Sequence, residues 1–170
     1  EDLNTIMKIR TATLNDLDAL TAVEAECFPA AEAAQKKDFE NRLAYYADHF
    51  WLMFDENDKL IAFVDGMVTD EADLTDEMYE KGEMHNENGA WQMIFGVNTI
   101  PSCRKKGYAG ELIKAAIEDA RKQGRKGLVL TCKDKLIHYY AKFGFVNEGV
   151  FPVCPRKCGM VSDETDFLNK

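Results

Sequence analysis

The sequence has no apolar run long enough to cross a membrane, and its first residues lack the basic and then apolar pattern of a signal peptide. At 170 residues, one domain can bury its own core without support from disulfides or metals. We therefore expect a single domain over residues 7–170, with residues 1–6 as an N-terminal extension and Met7 as an alternative start. These features predict a cytoplasmic protein without a membrane partner.

Cysteine is scarce, and its spacing does not suggest pairing. The five cysteines are an odd number, and only Cys154 and Cys158 lie close together. A metal site would need two more suitable ligands near that pair, and the C-terminal tail contains no histidine. The sequence therefore predicts reduced thiols and no bound metal.

Basic residues are outnumbered, because Lys and Arg total 21 against 30 Asp and Glu, for a formal net charge of −9. This charge argues against nucleic acid or an anionic membrane as the main partner. A small cationic molecule fits it better. The sequence does not decide between a monomer and a homodimer.

The most informative stretch is residues 90–110, where an apolar strand leads through a basic loop into a long helix. The helix is predicted to begin near Gly107 and to end at about Lys122, because apolar residues recur at three- and four-residue spacing before Gly124. The first amide groups of such a helix lack backbone partners and lie at the positive end of its dipole. They can therefore bind an anion such as a pyrophosphate. The loop alone fits a solvated connection equally well.

Two segments resemble the signature motifs of the GNAT superfamily of acetyl-CoA-dependent N-acetyltransferases. Residues 104–109 match its pyrophosphate-binding pattern, Gln/Arg-x-x-Gly-x-Gly/Ala, between the expected strand and helix. Residues 136–145 resemble the superfamily's later helix, which ends in Tyr-x-x-x-Gly-Phe and here follows the predicted strand 128–132. Residues 130–145 are most similar to the arylalkylamine N-acetyltransferase branch.

This resemblance implies a single-domain α/β fold with a mixed, mostly antiparallel sheet of six or seven strands and helices on both faces. A central pair of strands would part to admit acetyl-CoA, which is implied as the co-substrate. Gly96 is isolated inside the predicted strand 90–100, which fits a bulge at that point. A glycine required only for close packing would give the same pattern. The implied cofactor-binding residues are Phe95, Gly96, Val97, Arg104, Lys105, Lys106, Gly107, Tyr108, Ala109 and Gly110.

Acetyl transfer to an amine needs an unprotonated nitrogen and a proton for the departing thiolate. An alkyl amine has a pKa of about 10.4, so it arrives charged and must lose a proton. A thiolate with a pKa of roughly 8.5 can take its proton from a neutral phenol. Helical spacing alone does not distinguish Tyr139 from Tyr140 as the proton donor. The resemblance selects Tyr140, four residues before Gly144, as the catalytic acid.

The catalytic base is indicated by resemblance alone. Vertebrate-type arylalkylamine acetyltransferases carry two histidines where this chain has Trp91 and Met93, neither of which can accept a proton. Glu32 resembles a glutamate that insect-type relatives place at the start of the second helix, and it is the predicted base, directly or through water. It also fits an ordinary acid in a first helical turn. His49 and His138 are expected to face solvent without a catalytic role.

The other segments follow from apolar spacing and charge. A second helix is predicted over residues 32–47, with Arg42 on its outward side, and residues 50–54 and 60–68 should form a hairpin. The acidic stretch 70–87 fits a solvated loop with a short helix, or a rim that attracts cations. One more strand is expected near Met160.

The predicted function is acetyl-CoA-dependent transfer of an acetyl group to the primary amine of a small cationic substrate, of aryl-alkyl amine or polyamine type, by direct attack on the thioester. One alternative is a protein N-terminal acetyltransferase, whose peptide would need an open groove at the acidic stretch. The other alternative is an acyl-CoA-binding regulatory module without turnover.

Overall fold

The computed structural model describes residues 7–150 and 160–166, and the side chains of residues 7–148. Short 3-10 turns connect several of its elements. In chain order these elements are β1 (Lys8–Thr11), α1 (Leu17–Cys27), α2 (Lys36–Tyr46), β2 (Phe50–Phe54), β3 (Leu60–Asp65), β4 (Val68–Thr69), α3 (Asp76–Glu80), β5 (Trp91–Ile94), β6 (Gly96–Thr99), α4 (Tyr108–Lys122), β7 (Gly127–Lys133), α5 (Ile137–Ala141), β8 (Val146–Val150) and β9 (Met160–Asp166).

The strands form two ladders that join into one bent sheet. The first runs β1-β2-β3-β6 and is antiparallel throughout, and the second runs β4-β5-β7-β9-β8 with only β5 and β7 parallel. The ladders join because β3 leads into β4 and β5 leads into β6. Between them, Phe95 N–H donates to Asp65 O at 2.7 Å and Met93 N–H donates to Met67 O at 2.8 Å. The sheet therefore follows seven strand paths, which confirms the predicted six or seven strands.

The predicted strand 90–100 is broken at Phe95, and its two halves have different neighbours. The first half, β5, pairs with β7, whereas the second half, β6, pairs with β3. Gly66 permits this crossing because a Cβ there would lie 1.8 Å from the carbonyl oxygen of Met93. No side chain fits so close to a backbone atom. The expected parting of a central strand pair is thus confirmed.

Helices cover both faces of the sheet, as predicted. On one face, Trp51 of β2 donates from Nε1 to Asp119 of α4 at 2.7 Å. On the other face, the ring of Phe39 from α2 contacts those of Phe50 and Phe63 edge to face. These aromatic side chains are fully or nearly buried, so each helix is fixed by its apolar face rather than by polar contacts alone.

The start of the second helix was predicted wrongly. The amides of Glu32 and Ala33 both donate to the carbonyl of Pro29, which closes a turn instead of a helix. The helix begins at Lys36, where Gln35 N–H donates to the Asp38 carboxylate at 2.8 Å in a capping box.

The later elements largely follow the sequence pattern. The helix indicated by residues 136–145 is α5, Ile137–Ala141, which follows a 3-10 turn, and β9 confirms the strand expected near Met160. The tail cysteines Cys154 and Cys158 lie outside the described residues. Within the described residues, no helix is long and apolar enough to span a membrane.

Candidate active site

An opening lies where β6 leaves β7. Among the described strands, β6 pairs with β3 only, so its other edge has no strand partner. Beyond Ile94 and Leu130, the last residues of the parallel pair, β7 continues against β9 alone. The free edge of β6 can therefore accept an extended arm in the manner of an added strand.

The loop before α4 forms a backbone cradle for an anion. Lys105 and Gly107 adopt left-handed backbone angles, with φ of 64° and 82°. The first helical bond of α4 joins the amide of Glu111 to the carbonyl of Gly107 at 3.1 Å, and no side chain caps the helix. The amides of the first turn, residues 108–110, therefore keep their hydrogen-bonding capacity at the positive end of the dipole. The predicted anion-binding residues thus meet at this helix terminus.

The basic side chains of the loop differ in whether they are hydrogen-bonded within the protein or exposed to solvent. Arg104 donates from Nε to the carbonyl of Thr99 at 3.0 Å, and the Cys27 thiol donates to the same oxygen at 3.3 Å. Burial raises the pKa of Cys27, although Arg104 opposes that shift, so the thiol stays protonated at neutral pH. Lys105 and Lys106 are exposed and can reach an anion directly.

The two neighbouring tyrosines of α5 have different surroundings. Tyr140 is 7% exposed, and its ring packs edge to face on Tyr139 and Phe145. The Tyr139 hydroxyl lies 3.7 Å from where a Cβ of Gly110 would stand, in the first turn of α4. Burial raises the pKa of Tyr139, which keeps it a neutral phenol. Both tyrosines therefore lie in the helix that flanks the opening.

The three strand residues predicted to bind the cofactor differ in how well their backbone groups are placed to do so. The Phe95 amide already donates to Asp65 inside the sheet, so it cannot also hold the cofactor. Gly96 and Val97 are half-buried and lie on β6, beside the opening. The backbone of these two residues is therefore the better placed for a pantetheine arm.

Glu32, the candidate base, does not lie at the opening beside β6. Trp91 and Met93, which stand where some relatives have histidines, are not next to it either. Glu32 is exposed in the turn between α1 and α2. Met93 is fully buried in the core, and Trp91 is half-buried at the start of β5. The neighbours of Glu32, Ala31 and Ala33, line a polar surface cleft of about 520 Å³.

A buried ion pair beside the strand break was missed by the sequence analysis. Arg42, expected to point outward, is only 7% exposed and donates from Nη1 to Asp65 Oδ2 at 3.1 Å and from Nη2 to the Tyr79 carbonyl at 3.1 Å. Its guanidinium lies 5.5 Å from the ring centre of Phe95. Burial alone would lower the pKa of Arg42, but the surrounding groups, Asp65 first and then Tyr46, Glu24 and Asp38, together raise it, so the guanidinium stays ionised. A single Asp in the apolar run 60–68 was the available signal.

A second buried carboxylate lies next to this pair. Glu24 of α1 accepts hydrogen bonds from Asn98 Nδ2 at 2.7 Å and from the Ala34 amide at 2.8 Å. Three buried polar atoms in this region have no hydrogen-bond partner among the described residues, namely Arg42 Nε, Tyr46 Oη and Asn98 Oδ1. Such atoms are rare in folded proteins and indicate a place for water or a ligand.

A different polar network lies at the start of β5, where His49 contacts Trp51 and His85 contacts Tyr46 of α2. Gln92 donates from Nε2 to the carbonyls of Gly66, Met67 and Met93, so its Oε1 accepts from His49 Nδ1 at 2.8 Å. His49 is 1% exposed, so the expectation that it faces solvent was wrong, whereas His138 is exposed as expected. The side chain buries because the rigid Gln92 amide offers it a fixed partner.

Three groups of this network converge closely enough to bind a metal ion, but their protons oppose it. His49 Nε2, His85 Nε2 and the Glu87 carboxylate lie within 4.8 Å of one another. The Val68 amide donates to His85 Nδ1 at 3.0 Å, which leaves the ring proton of neutral His85 on Nε2, facing Glu87 at 3.1 Å. That nitrogen has no lone pair for a metal. Arg125 Nη2 also contacts Glu87 Oε2 at 2.8 Å, so the cluster is better described as an ionic network than as a metal site.

The network makes stability depend on pH. Burial lowers the pKa of His85 despite its bond to Glu87, so the unfolded chain binds a proton more readily than the fold. The stabilisation is therefore complete above the usual histidine pKa of about 6.5 and is lost as pH falls below it. Burial alone would raise the pKa of Glu87, but its bonds to His49 and His85 lower it. Its share is consequently lost only at more acidic pH.

We predict that the free energy of unfolding falls between pH 7 and pH 5 and that His85→Asn flattens this dependence. Asparagine keeps an acceptor for the Val68 amide but does not titrate. Urea unfolding at several pH values measures the effect, with His138→Asn as the matched control for an exposed histidine. If both variants follow the wild-type curve, His85 is not responsible.

Comparisons with known proteins agree with this geometry. The protein-family model described as acetyltransferase (GNAT) family matches residues 17–145. A search of curated proteins found no match. Among solved structures, the loading GNATL domain of CurA from Lyngbya majuscula has a TM-score of 0.84 at 16% identity, over 97% of this chain and 100% of that chain.

Two other similar structures were determined with coenzyme A or an acyl derivative. The GphF GNAT-like decarboxylase in complex with isobutyryl-CoA has a TM-score of 0.81 at 20% identity, over 94% of this chain and 98% of that one. The PaiA N-acetyltransferase from Thermoplasma acidophilum, in complex with coenzyme A, has a TM-score of 0.70 at 16% identity, over 95% and 99%. At these identities the structures establish the shared fold, while the family model covers most of the sequence. The chain therefore belongs to the acetyltransferase (GNAT) family and is an acetyl-CoA-dependent acetyltransferase.

Proposed function

We propose that this enzyme transfers the acetyl group of acetyl-CoA to the primary amine of a small cationic substrate, of aryl-alkyl amine or polyamine type. The amine attacks the thioester carbon directly, the C–N bond forms, and the C–S bond breaks. The observation that carries the proposal is the opening between β6 and β7, which places a free strand edge beside the uncapped terminus of α4. The pantetheine arm would lie along Gly96 and Val97, and the pyrophosphate would bind residues 104–110.

The segment between β4 and β5 favours a small acceptor. Leu74 and Met78 are buried, and the ring of Tyr79 lies 4.6 Å from that of Phe95 at the strand break. A polypeptide groove at this place would need the segment to stand away from the sheet. Because the segment is packed down, a small molecule fits the remaining space better than a peptide.

The charge of the same segment gives partial support for a cationic substrate. Glu71, Asp73, Asp76 and Glu77 are exposed and can attract a cation at low ionic strength. Glu87, which also lies in this stretch, is bound by Arg125 and by two histidines. Its charge is therefore compensated, and the acidic rim is smaller than the sequence indicated.

A protein N-terminal acetyltransferase is the second candidate, because enzymes of that kind share this fold. The ribosomal-protein-S18-alanine N-acetyltransferase from Escherichia coli has a TM-score of 0.67 at 14% identity. A regulatory module that binds acyl-CoA without turnover is the candidate from another class.

A thiol-release assay with acetyl-CoA distinguishes these three functions. We expect release with aryl-alkyl amines and polyamines and little with short peptides bearing a free N-terminus. Mass spectrometry of the acceptor confirms the added acetyl group. Preference for peptides would support the second candidate, and CoA binding without release by any acceptor would support the regulatory module.

The anion cradle predicts that Gly107→Val weakens coenzyme A binding. Valine is strongly disfavoured at a φ of 82°, so the loop must change its shape and move the first amides of α4. We expect a loss of about tenfold or more in affinity by calorimetry, equivalent to ~1.4 kcal/mol. Gly124→Val is the matched control, since Gly124 has a φ of 75° and equally open surroundings at the far end of α4. Equal affinities in the two folded variants would contradict this location of the cradle.

The proposed acid and base act on different protons, so their variants should differ. Tyr140→Phe keeps the ring and removes the donor to the thiolate, so turnover should fall by about a hundredfold while CoA affinity is retained. Tyr139→Phe is the matched comparison, and a larger loss there would assign the acid to Tyr139.

Glu32→Gln should lose turnover that high pH partly restores, because more amine is then neutral. An unchanged pH profile would exclude Glu32 as the base.

A further inference from the structure

A polar nook lies beside Gly96, on the face of the sheet that α1 and α2 cover. If Gly96 carried a Cβ, that atom would lie 3.0 Å from Asp65 Oδ1 and 3.7 Å from both polar atoms of the Asn98 side chain. Asp65 and Asn98 therefore converge on the same point, directly over the backbone where the strand breaks. The absence of a side chain at residue 96 leaves both polar groups next to the bare backbone of β6.

The nook carries one more negative than positive charge. Asp65 and Glu24 are two buried carboxylates, and Arg42 is the cation that binds Asp65. Glu24 accepts hydrogen bonds from the neutral donors Asn98 and the Ala34 amide, and it shares the single positive charge of Arg42 with Asp65. An uncompensated charge in the interior is costly, and a bound cation removes that cost.

An unpartnered acceptor points into the same space. Asn98 is 1% exposed, and its Nδ2 is used by Glu24, whereas its Oδ1 has no partner among the described residues. A buried carbonyl oxygen without a donor is unfavourable by itself. A group with N–H or O–H donors would satisfy this oxygen, and the excess negative charge favours a positively charged one.

We propose that Asp65, Asn98 and Glu24 form the subsite that binds the ammonium group of the acceptor before it reacts. A primary ammonium has three N–H donors and one positive charge, which match the acceptor atoms and the excess charge of the nook. The proposal rests on the proposed function for its meaning in the reaction, since the thioester would lie against Gly96 and Val97. The side chains then select amines over neutral acceptors of the same shape.

The test compares each amine with the alcohol of the same shape at pH 7. The probe pairs are 2-phenylethylamine with 2-phenylethanol and butane-1,4-diamine with butane-1,4-diol, measured by calorimetry in the presence of coenzyme A. We expect the wild-type enzyme to bind the amine of at least one pair about tenfold or more tightly than its alcohol, or ~1.4 kcal/mol. Asp65→Asn should bring the ratio of the alcohol and amine dissociation constants close to one. It should leave the affinity for coenzyme A unchanged.

A second variant guards against a folding defect. Asp65→Asn leaves Arg42 without its anion, so circular dichroism must confirm that the variant is folded. Glu24→Gln removes the same unit of charge without changing the partner of Arg42, and it should lower the ratio as well. Asp119→Asn is the matched control, because this carboxylate binds Trp51 on the opposite face, and its ratio should equal that of the wild type.

The outcomes separate this subsite from the proposed function. The subsite is overturned if the wild-type enzyme does not distinguish amine from alcohol in either pair, or if folded Asp65→Asn and Glu24→Gln both retain the distinction. Acetyl transfer to amines with an unchanged ratio in these variants would keep the function and reject the subsite. Amine selectivity that these variants abolish, in a protein that releases no thiol, would keep the subsite and reject the function.

Discussion

The position of Asp65 at the end of β3 is the constraint on which the site depends. Its carbonyl oxygen accepts the Phe95 amide, and its carboxylate accepts a hydrogen bond from Arg42. The first contact holds the strand at the break, and the second ties that break to α2. Because Arg42 also binds the carbonyl of Tyr79, the segment that covers the acceptor side is held by the same guanidinium. One buried ion pair thus links the sheet, a helix and the covering segment.

A buried pair of this kind is a poor source of net stability, because desolvation offsets most of the attraction between its charges. Its value here is geometric. The guanidinium stacks over the rings of Phe39 and Phe95, and its fixed fork defines where the neighbouring groups stand. The break at Phe95 is therefore rigid on the side where the acceptor would approach. Rigid placement is what an acyl transfer between two bound molecules requires.

The two polar networks have separate consequences. The one around Asp65 lies under α1 and α2, whereas the one around His49 lies near the start of β5. The second network holds the end of the acidic stretch through Glu87, and His85 couples that anchor to pH. The segment between β4 and β5 is thus held near one end by the buried Arg42 and at the other by a network in which His85 titrates.

Local sequence determined most of the elements and the cradle. Apolar spacing and glycines predicted α4 and the hairpin of β2 and β3, because these segments depend on contacts between residues near in sequence. The loop motif at residues 104–110 could be found for the same reason, since a helix terminus and its preceding loop form one local unit. Pattern could not set the start of α2, where a turn closed by Pro29 competes with the helix.

The tertiary structure decided the rest, because the groups concerned are distant in sequence. Glu24, Arg42, Asp65 and Asn98 each look like an ordinary polar residue in its own element, and only the packing of α1 and α2 on β3 and β6 buries them together. His49 and Gln92 are likewise 43 residues apart, so no local pattern predicts that one fixes the other. The sequence alone determined the fold family and, through local backbone geometry, the location of the proposed anion cradle. The buried charge beside Gly96 was decided by long-range packing, which removes water from side chains that would otherwise be solvated.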